Sequence, residues 1–219
     1  MSLRFAGRVF LDMWTKPRKT IDKLVDINNR YGFVVLSFFY GFVQAIHFSQ
    51  ILSLSSTLDL WKILLLVVIF SIPLGAAYFY ISAFIFYWIG KFIGGKGSFL
   101  DIRCAVSWSN VTQVVSSALI VMMLAAFQNE FFSKQFVDQT FENWPLVFVI
   151  IFLVGEVVLS VWTFIIFVGA IAAAHRFSIW MSLLNQVLVI ALYLVVVFLV
   201  GKLMTLMGGD ALAMIGRGI

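Results

Sequence analysis

Charge is scarce in this chain of 219 residues: Asp, Glu, Lys and Arg make up only 11% of it, while 63% is hydrophobic. A soluble domain carries about 25% charged residues, so this composition, with a mean hydropathy of +1.06, excludes an ordinary water-soluble fold. There is one cysteine, Cys104, which rules out a disulfide within the chain, and there is no CxxC pair or Cys/His cluster of the kind that holds zinc. Cys104 reads as a reduced thiol at the start of a helix. Histidine occurs twice, at His47 and His175, in runs far apart in the sequence, and HExxH, paired carboxylates and a serine nucleophile elbow are all missing. The expectation is a non-enzymatic protein without a cofactor. The N-terminus (MSLRFAGRVFLDMW) has neither the continuous apolar core nor the small-residue cleavage site of a secretory signal, so the first apolar run should serve as its own insertion signal.

What the chain does have is long apolar runs, at about 33–54, 61–92, 105–127, 145–174 and 180–200. A membrane-spanning helix needs about 20 mostly apolar residues, because hydrocarbon tolerates only a backbone whose hydrogen bonds close internally. The sequence therefore predicts an all-α polytopic membrane protein, with residues 1–32 as a basic arm and 33–219 as a bundle of five transmembrane helices. The second run is longer than a bilayer requires and must tilt, protrude or kink at Pro73.

The cations orient the bundle. Arg4, Arg8, Lys16, Arg18, Lys19, Lys23 and Arg30 precede the first run, Lys91, Lys96 and Arg103 follow the second, and Arg176 follows the fourth. Only Lys62, Lys134, Lys202 and Arg217 fall on the other side, and the loop at 128–144 is acidic. By the positive-inside rule the N-terminus is cytoplasmic and the C-terminus external, as in a bacterial inner membrane. The net charge of +5 thus reports topology and not nucleic-acid binding.

Within the arm, Leu3, Ala6, Val9, Phe10, Met13 and Trp14 share one helical face, and Arg4, Arg8 and Asp12 the other. This pattern predicts an amphipathic helix on the inner leaflet, attracted to anionic lipid, ending at Pro17. Thr20 is placed to cap a second short helix, TIDKLVDI.

The least generic segment is GKFIGGKGSFLD, residues 90–101. Gly90, Gly95 and Lys96 match GxxxxGK, the opening of a phosphate loop, but Gly97 stands where Ser or Thr would bind magnesium and a membrane helix replaces the required strand. The glycines instead predict a helix stop near Gly94 and Gly95, with Gly90 and Gly94 as a small-xxx-small packing pair. Lys91, Lys96 and Arg103 make this connector a cytoplasmic contact candidate. Five spans, a cytoplasmic N-terminus, the WTKP element at residues 14–17, the glycine-rich connector and a polar third span together resemble the Yip family of Ypt/Rab-interacting membrane proteins. That resemblance implies membrane shaping, vesicle traffic and recruitment of prenylated small GTPases. The arm of about thirty residues resembles short bacterial or archaeal members, for which no Rab partner is expected.

Polar residues inside the apolar runs complete the inventory. An acid at mid-bilayer costs about 3 kcal/mol, so Glu156 is expected to face the interior, and helix rise places Gln44 and His47 at a similar depth. Asn110, Thr112 and Gln113 with Asn185 and Gln186 form a second expected tier. The sequence thus supports an adaptor or membrane-organising role with an unidentified protein partner. The alternative is an oligomeric transporter or channel for a proton, cation, metal or polar solute, centred on Glu156.

Overall fold

The computed structural model describes residues 3–133 and 146–216. Helices α1 (Leu3–Thr15) and α2 (Pro17–Asn28) form the arm, followed by α3 (Phe33–Ile51) and α4 (Leu60–Phe92). The third span is α5 (Phe99–Ser109), one tight turn at Asn110–Thr112, and α6 (Gln113–Phe127); α7 (Leu146–His175) and α8 (Ile179–Gly216) complete the bundle. Five helical stretches are long and apolar enough to cross a membrane, with α5 and α6 counting as one. Pro145, Lys134, Arg217 and most of the acidic loop lie outside the described residues.

Two boundaries and one interior turn differ from the sequence expectation. The third span begins at Phe99 and not near Ala105, because Ser98 and Asp101 make a capping box that starts the helix early. It tightens at Asn110–Thr112, where polar side chains return hydrogen bonds to their own helix: Ser109 Oγ donates to Val106 O at 2.8 Å and Asn110 Nδ2 to the same carbonyl at 2.8 Å. The fifth span continues to Gly216, well past Val200. Falling hydropathy there does not end a helix, and an isolated glycine such as Gly201 costs only about 1 kcal/mol.

The tightest helix crossing joins α3 to α4. Ser37 and Gly41 face Ser71 and Gly75, two matching SxxxG elements. A Cβ on Gly41 would lie 2.6 Å from the Ser71 carbonyl carbon, and one on Gly75 would lie 2.7 Å from that of Ser37. The backbones therefore touch directly, as small-xxx-small packing in a membrane requires, where apolar burial offers little drive between helices. Tyr40 stacks on Tyr78 at 4.1 Å along the same seam, and α4 runs through Pro73 as one helix.

The arm is amphipathic as expected, but its apolar face packs on protein. Val9, Met13, Ile21 and Leu24 share one core with Ile102, Val106, Ile166, Ala170 and Ile171 of α5 and α7. Val9 and Met13 of the face assigned to the leaflet are thus buried against the bundle, whereas Leu11 and Ile27 are exposed. Pro17 takes the first position of α2, where its missing N–H costs nothing. Thr20 is no cap: it sits a turn inside α2, buried, donating Oγ1 to Lys16 O at 2.9 Å. Trp108 Nε1 donates to Tyr31 O at 2.8 Å and ties the end of the arm to α5.

Candidate functional site

The basic end of the bundle is assembled from the arm, the connector and the α7–α8 turn. The connector closes α4 with a Schellman motif: Gly95 N donates to Gly90 O at 2.7 Å and Gly94 N to Lys91 O at 3.1 Å. Gly94 supplies the left-handed residue this motif needs, at φ 93°, whereas Gly95 has no positive φ. The capping box follows at once. Ser98 N donates to Asp101 Oδ2 at 3.0 Å, and Asp101 N donates to Ser98 Oγ at 3.3 Å.

Between these two caps the connector wraps the end of α7. Lys96 N donates to His175 O at 3.0 Å, and a Cβ on Gly97 would lie 3.0 Å from the Ala174 carbonyl carbon. His175, fully buried, fills the space between Gly90 and Gly95 and stacks on Phe177 at 4.9 Å. Its Nε2 lies 3.2 Å from Phe86 O, which also accepts from Asn185 Nδ2 at 3.3 Å. Gly90 is thus a packing glycine as expected, but it packs on an imidazole. Gly94 does not share the role, since nothing lies within 4 Å of where its Cβ would be. The phosphate-loop match dissolves, because Gly90 lies in helix α4 and Gly97 sits against α7.

This scaffold holds a polar groove of about 500 Å³ lined by Arg18, Asp22, Asp26, Lys96, Asp101 and Arg176, with Gly97 and Ala174 at its base. Three cations and three carboxylates share the groove, yet no ion pair joins them among the described residues. Arg18 donates to Phe177 O at 3.1 Å, and Asp101 accepts from Asn29 Nδ2 at 3.0 Å. Arg176 caps α7 in a second Schellman motif, with its own N donating to Ala173 O at 3.0 Å and Phe177 N to Ala172 O at 2.8 Å. It does so at φ 58°, a left-handed conformation that costs a non-glycine residue about 1–2 kcal/mol. Strain of this kind persists where the surrounding structure determines it, and it tends to cluster at working surfaces.

Two connector cations behave differently from Lys96. Lys91 is exposed, its Nζ 5.6 Å from the Tyr87 ring. Arg103 is not a surface contact: it is 4% exposed, lies against the rings of Phe33 (4.4 Å) and Tyr80 (5.3 Å), and donates Nη1 to Tyr80 OH at 2.9 Å.

At membrane depth the expected tiers are redistributed. Glu156 Oε2 accepts from Ser116 Oγ at 3.2 Å, and its Oε1 is buried without a partner. Neither Gln44 nor His47 hydrogen-bonds to it; His47 is exposed on α3, which packs on α4 and α6. Thr112 pairs with Thr163 of α7, and Gln113 Oε1 is buried without a partner. Thr112–Thr163 and Ser116–Glu156 therefore make a two-rung polar ladder between the third span and α7. Asn185 and Gln186 stand apart, near α4: Asn185 bonds to Phe86 O, and Gln186 Nε2 is buried without a partner. Thr163 and Tyr80 take part as well, although no local sequence pattern singles them out. Among the described residues no three His, Cys, Asp or Glu side chains converge on a metal site.

The family model of the Yip1 domain matches residues 11–201. That match runs from α1 through the connector and into the last span. No curated protein and no solved structure matches the chain.

Proposed function

We propose that this chain, which belongs to the Yip1-domain family, acts without catalysis as a membrane-organising or adaptor protein, engaging a partner segment in the groove at its basic end. It is an integral membrane protein, and by the positive-inside rule its groove faces the cytoplasm. The observation that carries the proposal is the set of six charges of both signs, left unpaired with one another, on a scaffold fixed by two Schellman motifs and a capping box. Unpaired charges on a rigid support suit a polypeptide segment bearing both signs, because the order they impose is already in place before binding. Arg176 adds to this, held in a conformation glycine would take more cheaply.

The test is affinity recovery from native membranes of wild type and of a variant carrying Asp22→Asn, Asp26→Asn and Lys96→Gln. Loss of a specific co-purifying protein in the variant is expected; identical recovery contradicts the proposal.

A second reading, a small transporter, rests on the unpartnered Oε1 of Glu156, within the polar ladder between the third span and α7. It requires that Glu156→Gln abolish proton or solute flux in proteoliposomes, and undiminished flux removes it.

A further inference from the structure

Arg103 presents a separate problem. A buried guanidinium normally has a carboxylate beside it, since an unpaired charge in a low-dielectric site is strongly unfavourable. Arg103 has none within ion-pairing distance among the described residues, and its Nε is without a partner. Its neighbours supply only a phenol, the Asn29 carbonyl at 3.4 Å and two aromatic faces.

Arg103 lines a groove of about 430 Å³ with Arg30, Phe33, Val34, Tyr80 and Leu100. Arg30 is exposed, so a second cation stands at the groove mouth. Tyr80 accepts from Arg103 and therefore keeps its own hydroxyl proton to donate. The first turn of α3 begins here without a side-chain cap, adding the positive end of a helix dipole. The remaining walls are apolar, and Val34 and Val35 continue them as exposed surface along a spanning helix.

We propose that this groove binds the phosphate headgroup of an anionic phospholipid. Arg103 and Arg30 supply the charge and Tyr80 a hydrogen bond, while the acyl chains lie along Val34 and Val35. The phosphate neutralises a guanidinium that the protein itself leaves unpaired. The apolar walls favour a lipid over a free anion. This site is distinct from the partner groove: its lining shares no residue with that groove.

The experiment is native mass spectrometry of the full-length protein in detergent, titrated with phosphatidylglycerol, phosphatidylcholine or inorganic phosphate. Both lipids carry the phosphate, but choline cancels its charge in phosphatidylcholine, so wild type is expected to retain phosphatidylglycerol by about tenfold through the net charge it presents to Arg30 and Arg103. Arg30→Gln, at an exposed position that does not threaten folding, is expected to erase most of that preference, whereas Lys19→Gln, in the same arm but outside the groove, is expected to leave it. Arg103→Gln serves as a second variant where it folds. Equal retention of the two lipids, an unaffected Arg30→Gln, or an equal loss with Lys19→Gln overturns the proposal. Displacement of the lipid by inorganic phosphate alone also overturns it, in favour of a free-anion site.

Discussion

Replacing Gly90 by alanine would place a methyl carbon inside 3.0 Å of three imidazole atoms of His175, the farthest of them, Cδ2, at 2.8 Å. Ordinary carbon contacts lie near 3.5–4.0 Å, so even the mildest of these overlaps by about 0.7 Å. The ring has nowhere to go: it is fully buried, stacked on Phe177, and Gly95 closes its other side. Overpacking of this kind costs about 1–3 kcal/mol, and displacing the ring from Phe86 O adds about 1 kcal/mol. Gly90→Ala should thus destabilise by about 2–4 kcal/mol. With His175→Ala already present the sign should reverse, because alanine is better than glycine within a helix by about 1 kcal/mol and now fills the vacated space. The assay is unfolding in detergent micelles followed by tryptophan fluorescence for wild type, both single variants and the double, which gives the coupling energy. If Gly90→Ala costs the same with and without His175, the connector's glycines are not there to admit that ring, and the steric account of the basic end fails.

Other consequences follow from the same packing. Gly41→Leu or Gly75→Leu should part α3 from α4 and lower the unfolding temperature more than Gly201→Leu, whose Cβ meets nothing within 4 Å. Ser98→Ala should cost about 1 kcal/mol through the lost capping box, measured by the same unfolding assay. Arg176→Gly should raise stability by about 1 kcal/mol by relieving the left-handed backbone, while weakening partner recovery. Cys104, buried in the core, should resist a membrane-permeant maleimide in the folded protein and react after denaturation, scored by mass.

Much of the fold was legible in the sequence because apolar length and cation placement report directly on membrane crossing. Two local signals stand in the sequence that apolar run length passes over: Ser98-x-x-Asp101, which starts the third span earlier than Ala105, and the paired SxxxG elements at Ser37 and Ser71. The polar tiers were less readable, because helix rise gives the depth of a side chain and not the direction it faces. Gln44 and His47 lie on α3, which packs on α4 and α6, whereas Glu156 meets Ser116. The burial of Arg103 and the wedging of His175 depend on contacts 74 and 89 residues away along the chain, which no local pattern encodes. The resemblance to the Yip family, carried by the five spans, the expected cytoplasmic N-terminus, the WTKP element, the connector and the polar third span together, agrees with the family match across residues 11–201.

The most direct measurement of the central claim is photo-crosslinking in native membranes from a benzoylphenylalanine placed at Asp22 or Lys96, with Thr57 at the opposite end of the bundle as control. The account predicts a discrete protein adduct from the groove positions and none from Thr57. No adduct from the groove, or the same adduct from all three positions, would contradict it.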